Sequence, residues 1–413
     1  MKQILLIIFF LMLAINAESA VLEVVKDEFQ VNQSALNNQD HATVSMNQYG
    51  DSMIVWHDFS SLDGQGSAVV GRVFDNNGNA LTNEFLINTT TAGFQRLPDI
   101  ATNKNNLFVI VWESAIAANT HNAFAKIVSS SSEVLVDEFK VNDTASENKI
   151  YPDTAMYANG DFIVIWDQEE QGKLNFYMKF YNANGMLLYG PVKINEFPSD
   201  GKLDVGGTNG LPDIAINEKG DAIAVWERIT GTNISVVGRL FNPYTQKAGH
   251  ELLIDTPVSG FEQRRPMVDM NNAGDIVVTW VEYSEGSTDG DVYVKKYSAS
   301  TSKWGNKISP HISLNDNQYL SVIKLTENGQ FVVVWTAENP VYSDDVKMRF
   351  YNSRGRPLTT EILVNKTQQG AQKRPAIDWY EYLDHILMVI TWESVEQDGD
   401  GSGAFSKIYR INY

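Results

Sequence analysis

One stretch of sequence recurs along the chain, and it constrains the fold more than any other feature. It reads PDIAINEKGDAIAVW at 212–226, and variants read YPDTAMYANGDFIVIW at 151–166 and RPMVDMNNAGDIVVTW at 265–280. A tryptophan closes each copy, and these tryptophans recur every 54 to 60 residues. The seven markers are Trp56, Trp112, Trp166, Trp226, Trp280, Trp335 and Trp392. A fixed period of this length is typical of a solenoid or a propeller.

Each unit contains four short segments with the character of β-strands. In the fourth unit, a strand at 213–217 meets a glycine turn, and an apolar strand at 222–226 follows it. A third strand at 236–241 comes after a variable loop, and segments of the type EFLIN, as at 84–88, supply the fourth. No apolar segment has the 3.6-residue period of a helix, which excludes a helical solenoid. Seven such units predict an all-β, seven-bladed β-propeller with four antiparallel strands per blade.

The two ends of the chain predict how the ring closes. The seventh unit ends at Tyr413, before any fourth strand. The segment DEFQVN at 27–32 matches the fourth-strand segment DEFKVN at 137–142. We therefore expect the N-terminal strand to complete the last blade, which removes the open sheet edges that invite aggregation.

Charged residues also follow the period. Every unit places a cation in its third strand, and four units place a glutamate twelve residues later. This constant spacing predicts cross-strand ion pairs, each contributing a few tenths of a kcal/mol, up to about 1 kcal/mol. The cations are Arg72, Lys126, Lys179, Arg239, Lys295, Arg349 and Lys407, and the glutamates are Glu84, Glu138, Glu251 and Glu361.

The first twenty residues predict export. Lys2, an apolar run at 4–15 and small residues up to Ala20 have the pattern of a secretory signal peptide. About a dozen apolar residues are too few to span a bilayer, so no membrane insertion is expected. The predicted organisation is a signal peptide at 1–20 and a monomeric propeller at 21–413, secreted to the extracellular space or the periplasm.

Composition narrows the partners. The chain has a net charge of −19, which repels nucleic acid and anionic lipid. Cations, neutral glycans and basic proteins remain as partners. There is no cysteine, so the hydrophobic core must hold an exported protein without disulfides.

The repeat, of the form Pro-x-Ile-Ala…Gly-Asp-x-Val-Val-x-Trp, resembles tandem propeller-type repeats of secreted bacterial proteins, which often accompany calcium-binding or adhesin-like modules. The resemblance covers about residues 27–413. It implies an exported β-propeller, and it carries no catalytic residues over to this chain.

The long variable loops should share one face, where second strands lead to third strands and fourth strands lead to the next blade. Binding residues concentrate on variable loops of a rigid scaffold, so this variable-loop face is the predicted site. The loop DGDGSG at 398–403 alternates aspartate and glycine, as calcium loops do, and its candidate ligands are Asp398, Asp400 and Ser402. A solvated turn in an acidic protein is the other interpretation.

Departures from the repeat mark further candidates near the axis. Asp269, Lys324 and Asp378 replace the alanine or serine that earlier units carry, which predicts an acid, a base and an acid in three adjacent blades. Buried charges must be paired or wet, so a structural ion network and a ligand-binding or catalytic cluster both remain open. Asp99, Asp153 and Asp213 form a similar arc, expected to bond to backbone.

Aromatic and basic residues near the variable-loop face are candidate ligand contacts, because aromatic rings stack on sugar rings. These candidates are Phe94, Arg96, Tyr151, Phe261, Arg264 and Tyr283. Acidic residues follow several marker tryptophans, as Glu113 follows Trp112. The other interpretation is that basic residues such as Arg96 pair with these acids within the repeat and contact no ligand. Two histidines in the first unit, His41 and His57, are candidate general bases for polysaccharide elimination.

These observations predict a secreted binding or adhesion module that recognises an extracellular glycan or protein, with calcium ordering its loops. A polysaccharide lyase or glycosidase that uses His41, His57 or the Asp269–Lys324–Asp378 set is the competing class. A purely structural interaction scaffold is the third.

Overall fold

The computed structural model describes residues 21–103, 106–117, 120–146, 150–200, 211–313, 316–341 and 343–412. The predicted signal peptide at 1–20 and most of the loop at 199–211 lie outside this part. The described residues form thirty β-strands, in seven antiparallel sheets. They form no helix long and apolar enough to cross a lipid bilayer.

The first four blades follow the chain in order. Blade 1 contains β2 (Gln39–Met46), β3 (Ser52–Asp58), β4 (Ala68–Phe74) and β5 (Phe85–Leu86). Blade 2 contains β6 (Phe94–Thr102), β7 (Leu107–Ala117), β8 (Thr120–Ser129) and β9 (Val134–Lys140). Blade 3 contains β10 (Asp153–Met156), β11 (Phe162–Glu170), β12 (Lys173–Tyr181), β13 (Leu187–Lys193) and β14 (Ser199–Asp200). Blade 4 contains β15 (Asp213–Ile216), β16 (Ala222–Thr230), β17 (Asn233–Asn242), β18 (Lys247–Ala248) and β19 (Leu252–Leu253).

The last three blades complete the ring. Blade 5 contains β20 (Phe261–Met270), β21 (Ile276–Ser284), β22 (Gly290–Ser298) and β23 (Lys303–Trp304). Blade 6 contains β24 (Gln318–Leu325), β25 (Phe331–Asn339), β26 (Ser343–Tyr351) and β27 (Ile362–Leu363). Blade 7 contains β28 (Gln372–Glu381), β29 (His385–Val395), β30 (Ser402–Asn412) and the N-terminal strand β1 (Val21–Gln30).

The predicted seven-bladed β-propeller is confirmed, including its closure. Strand β1 pairs antiparallel with β30, with Leu22 opposite Ile411 and Gln30 opposite Phe405. The sheet order β1-β30-β29-β28 therefore joins both ends of the described chain in one blade.

The core lies between neighbouring blades. All seven marker tryptophans are buried, with at most 2% of each exposed. The side chain of Trp226 in blade 4, for example, packs in one apolar cluster with Phe176 and Ile163 of blade 3. The repeat thus buries one large aromatic residue at each blade interface, and no blade forms this core alone.

The predicted cross-strand ion pairs are wrong, and the real contacts link adjacent blades. Each third-strand cation instead donates to a backbone carbonyl at the end of the preceding blade's fourth strand; Arg72 Nη1, for instance, lies 2.8 Å from the Val31 oxygen. The acceptor carbonyls, from Arg72 to Lys407 in order, belong to Val31, Ile87, Val141, Ile194, Ile254, Pro310 and Val364.

The glutamates make the complementary link. Glu138 accepts from the backbone amides of Thr89 and Thr90 in the preceding segment, at 2.6 and 3.0 Å. Glu28 of β1 accepts in the same way from Lys366 and Thr367, although it comes first in the chain. The constant spacing of cation and glutamate therefore marks equivalent positions in the blades. Their hydrogen-bond partners, however, are backbone groups at the end of the preceding blade, which have no partner in a neighbouring strand.

Candidate functional site

A β-bulge recurs where the first strand of a blade leaves the variable-loop face. In blade 1, Asp40 pairs with His57 and Thr43 pairs with Val55, so two residues oppose the single Trp56. The same shift occurs opposite the marker tryptophan in blades 2, 5, 6 and 7. The first bulge residue has a left-handed φ of 49° to 55° in all five, and none is glycine; these residues are His41, Leu97, Arg265, Leu320 and Arg374. Such strained backbone clusters at functional sites.

The bulge residues line the mouth of the central channel. A cavity of about 270 Å³ opens there, and the bulge position of every blade contributes to its wall. The seven contributors, from blade 1 to blade 7, are His41, Leu97, Tyr151, Leu211, Arg265, Leu320 and Arg374. Of the six predicted ligand contacts, only Tyr151 lines this mouth. Several other residues of the mouth share a sequence signal, because each directly precedes the proline of its repeat. They are Leu97, Leu211, Arg265 and Arg374.

Below the mouth, acidic residues line a second cavity of about 360 Å³ along the axis. Asp153 shares hydrogen bonds with its neighbours Asp99 and Asp213. Burial, together with those two neighbouring charges, raises the pKa of Asp153 well above its ordinary value. Burial also raises the pKa of Asp213 to about 7. The arc is thus a set of buried carboxyl groups that lie side by side. As expected, Asp99 and Asp213 also accept from backbone amides, those of Thr154 and Val268.

The predicted acid–base–acid set lies on the opposite wall of this cavity. Lys324 Nζ contacts Asp378 Oδ1 at 2.8 Å, and Asp269 accepts from the Leu325 amide at 2.7 Å. Burial alone would lower the pKa of Lys324, but Asp378 and Asp269 outweigh burial and raise it. Asp378 is also held by Ser45 and by the Met46 amide. These contacts pair Lys324 with Asp378 and hold Asp269 and Asp378 by backbone amides.

The two candidate histidines meet at one carboxylate. The Nδ1 atoms of His41 and His57 lie 2.9 and 3.0 Å from Asp40 Oδ1. Burial alone would raise the pKa of Asp40, but the two histidine hydrogen bonds outweigh it and lower the pKa. His57 is 4% exposed, and burial lowers its pKa. Among the described residues, its Nε2 atom has no hydrogen-bond partner.

Arg374 connects this cluster to the mouth. Its Nη1 donates to His41 Nε2 at 3.2 Å, and its Nε lies 3.2 Å from Glu393 Oε2. Because arginine can only donate, His41 Nε2 accepts in this contact, and the ring proton that faces Asp40 lies on Nδ1. No pattern in the sequence marks Asp40, which stands where other units carry a base such as Arg96 or Lys373.

Phe94 and Arg96 belong to the rim of blade 2 rather than to the mouth. Phe94 is 48% exposed, and the Arg96 guanidinium lies 5.9 Å from its ring. Arg96 Nε contacts Glu113, the acid after the marker tryptophan, at 2.5 Å. Gly93 precedes Phe94 with a φ of 79°, and a Cβ there would lie 2.2 Å from the Ala115 carbonyl oxygen. The Gly-Phe context of Phe94 is therefore required for packing.

Phe261, Arg264 and Tyr283 form a separate spot on blade 5. Phe261 is 43% exposed, and Arg264 Nε contacts Glu262 at 2.8 Å. Tyr283 is half-buried and lies opposite Glu262 in the strand pairing. The six predicted contacts thus fall into three groups, on blade 2, at the mouth and on blade 5.

The DGDGSG loop contacts the segment that follows the closing strand. Asp398 Oδ2 accepts from the Asn32 side chain at 2.8 Å, and Asp400 Oδ2 accepts from the Asn37 amide at 3.0 Å. The Ser402 amide donates to Asn38 Oδ1 at 3.1 Å. These contacts attach the loop to the segment that follows the closing strand.

Comparison with known protein families finds no match, and comparison with curated proteins finds no relative by sequence. Solved structures do match. An ulvan lyase of polysaccharide lyase family PL25 aligns with a TM-score of 0.57 and 11% identity, over 95% of this chain and 96% of that one. The polysaccharide lyase Uly1 aligns with a TM-score of 0.51 and 10% identity, over 93% and 91% of the two chains. A protein of unknown function from Dyadobacter fermentans DSM 18053 aligns with a TM-score of 0.50 and 8% identity, over 95% and 99%. At these identities the likeness shows the shared propeller fold.

Proposed function

We propose that this protein binds an extracellular glycan at the channel mouth of its variable-loop face. The observation that carries the proposal is the cavity on the axis, to which every blade contributes one residue at the same position of the repeat, through a bulge in five of the seven blades. Strained non-glycine backbone in five of those seven positions supports a binding role, because strain persists where the site uses it.

The chemistry of the mouth suits part of a carbohydrate chain. Tyr151 and the leucines offer apolar faces for sugar rings, while Arg265 and Arg374 offer hydrogen-bond donors for hydroxyl or acidic groups. A cavity of about 270 Å³ lies just below the usual size of pockets for drug-sized ligands, so it matches about one sugar unit, with the remaining chain over the rim. The polysaccharide lyases with the same fold act on glycans, which further supports the proposal.

The remaining parts of this function are proposals as well. The signal-like segment at 1–20 supports secretion, and the protein would act as a monomeric binding or adhesion module. Calcium binding by the 398–403 loop draws support from Asp398 Oδ1, a buried oxygen with no hydrogen-bond partner among the described residues. A protein ligand on the same face is the alternative partner.

Affinity electrophoresis tests the proposal. The protein is run through native gels that contain single neutral or anionic polysaccharides, with calcium and with chelator. We expect retardation in at least one polysaccharide, and Tyr151→Ala or Arg265→Met should abolish most of it. Phe261→Ala, an exposed aromatic change on the blade 5 rim, is the matched control and should change mobility little. Equal loss in all three variants would place the site on the rim, and no retardation in any gel would reject glycan binding for that panel.

A polysaccharide-degrading enzyme is the second candidate, and the Asp40–His57 pair favours it. A carboxylate that accepts the Nδ1 proton leaves Nε2 as a free base, the arrangement of catalytic His–Asp pairs. Incubation with the retarding polysaccharide should then shorten it, and an elimination would add an unsaturated chain end that absorbs in the ultraviolet. His57→Gln should remove that activity and keep gel retardation. Intact polysaccharide after prolonged incubation would reject the enzyme.

A further inference from the structure

The bulge in blade 1 brings three metal-ligating groups to one point. Neighbouring side chains on a regular strand point to opposite faces, so Asp40 and His41 would normally diverge. The left-handed φ of 49° at His41 turns its ring back towards Asp40. His57 faces Asp40 directly as its cross-strand partner. One oxygen and two nitrogen atoms therefore lie within 4.8 Å of one another.

In the described part of the chain, this set of ligands occurs in one blade of the repeat. Blades 2, 5, 6 and 7 have the same bulge, but they place Leu97, Arg265, Leu320 and Arg374 where blade 1 has His41. At the paired position, blade 2 carries Arg96 opposite Glu113 and blade 7 carries Lys373 opposite Glu393. These five blades share the bulge, and among them only blade 1 has histidines at the bulge residue and at the cross-strand position beside it.

We infer that Asp40, His41 and His57 form a binding site for a zinc-like divalent transition metal ion. Two imidazoles and one carboxylate are a common three-residue ligand set for zinc, with water in the fourth position. Zinc bonds to nitrogen and oxygen are about 2.0 to 2.1 Å long, so a tetrahedral arrangement separates the ligand atoms by about 3.3 to 3.5 Å. The observed distances of 2.9 and 3.0 Å from Asp40 Oδ1 to the two Nδ1 atoms require shifts of a few tenths of an ångström.

Two further observations support the site. His57 is almost fully buried, yet its Nε2 atom has no hydrogen-bond partner in the described part of the chain, so the hydrogen-bonded arrangement alone leaves the ring incompletely satisfied. The His41 side chain is 32% exposed and lines the mouth cavity, so an ion can reach the cluster from solvent.

Arg374 opposes the metal and makes the geometry testable. It donates to His41 Nε2, which holds the His41 proton on Nδ1. When a metal ion binds Nδ1, the proton moves to Nε2, and Arg374 can no longer donate there. Arg374 retains Glu393 as a partner, so zinc binding should release it from His41. The metal role and the general-base role of His57 exclude one another, because metal on Nδ1 protonates Nε2.

Titration of the purified protein with Zn²⁺ in a non-chelating buffer, followed by calorimetry, tests the inference. We expect one ion per chain with micromolar or tighter affinity, and loss of at least tenfold in affinity for His41→Ala and Asp40→Asn. His41→Ala is the safer variant because its side chain is partly exposed, and thermal melts in chelator confirm that each variant folds. His385→Ala is the matched control: it removes a partly exposed histidine 2.8 Å from Asp384, and it should leave zinc affinity unchanged.

Arg374→Met should bind Zn²⁺ severalfold more tightly, because it removes the competing donor. Co²⁺ should give visible absorption bands of a four- or five-coordinate ion in the wild type and none in His41→Ala. The inference is overturned if the wild type binds no Zn²⁺ at micromolar concentrations, or if binding survives His41→Ala. Loss of binding in His385→Ala, or weaker binding in Arg374→Met, would equally reject coordination through His41 Nδ1.

Discussion

Blades 1 and 2 carry the same pair of positions with opposite chemistry. In both, the residue before the bulge faces the residue after the marker tryptophan across two strands. Blade 2 places Arg96 opposite Glu113, a base opposite an acid. Blade 1 places Asp40 opposite His57, with the acid on the other strand and a neutral imidazole as its partner.

The comparison shows which features the fold requires in both blades and which occur in blade 1 and not in blade 2. The bulge, the buried tryptophan and the interblade links are common to both blades, so the fold accepts either arrangement. Glu113 is satisfied by Arg96 and by His121, whose Nδ1 lies 2.7 Å away. His57 keeps a buried ring nitrogen with no partner among the described residues. The difference therefore lies in the chemistry at the paired position, an acid–base pair in blade 2 and a carboxylate between two imidazoles in blade 1.

The largest expected effect should be equal in the two blades. Trp56 and Trp112 are both 0% exposed, and truncation of a buried aromatic residue to alanine costs about 3 to 5 kcal/mol of the free energy of unfolding. We expect Trp56→Ala and Trp112→Ala to fall in that range in urea unfolding. Losses that differ by more than about 1.5 kcal/mol would show that the blades are not equivalent in packing, which would break the comparison.

The paired positions should respond unequally. Glu113→Gln leaves the largely buried Arg96 guanidinium without its counter-charge, and we expect a loss of about 3 kcal/mol. Asp40→Asn keeps an acceptor beside two imidazoles, so only hydrogen-bond energy is lost, about 1 to 2 kcal/mol. Chemical unfolding at neutral pH in chelator measures both. An Asp40→Asn loss as large as that of Glu113→Gln would mean that a histidine there is charged.

The channel offers a comparison that depends on pH. Thr43 of blade 1 occupies the position of Asp99 in blade 2 and of Asp153 in blade 3. Burial raises the pKa of Asp213 to about 7 from an ordinary 3.8, and it raises the pKa of Asp153 as well. At these two groups the folded state binds more protons than the unfolded state, so their contribution to stability is largest below about pH 4 and is lost as pH rises to 7 and beyond.

Asp153→Asn should flatten that fall between pH 5 and 8, by up to about 1.4 kcal/mol per pH unit for one proton. Thr43→Asp adds a carboxyl group to blade 1 and should steepen it. Free energies of unfolding measured across this range check both variants. Parallel pH profiles for wild type and Asp153→Asn would show that the carboxyl arc is ionised in the folded protein.

The smallest effect concerns the interblade links. Glu138→Gln in blade 2 and Glu28→Gln in the closing blade each weaken charge-assisted bonds to two backbone amides, by about 1 kcal/mol. We expect equal losses in urea unfolding. A clearly larger loss for Glu28→Gln would identify the closure between β1 and β30 as the weakest part of the ring.

The fold could be read from the sequence because it depends on repeated, local patterns. The tryptophan period sets the number of blades, and the match between 27–32 and 137–142 identifies the closing strand. These patterns can be interpreted without knowing which blades are in contact. The partners of Arg72 and Glu84 could not be predicted in this way, because they are backbone groups, which every residue has and which therefore give no sequence pattern.

The candidate site was only partly visible for the same reason. His41 and His57 stood out as residue types, and Tyr151 as an aromatic residue near the face. Leu97 and Leu320 look like ordinary strand residues until a bulge turns them towards the axis. Asp40 is recognisable only once it is seen opposite His57, where blades 2 and 7 place a base opposite an acid.

The links between blades have a consequence for how the protein unfolds. Each blade presents a carbonyl to its successor and a cation to its predecessor, from Val31 with Arg72 to Val364 with Lys407. If a blade detaches from the ring, each of the two borders that it leaves exposes a carbonyl or a cation without its hydrogen-bond partner. Each border also exposes the apolar surface that had packed around a tryptophan. Intermediates with one or two blades detached are therefore penalised at both exposed borders. The closed ring should melt as one cooperative unit rather than blade by blade.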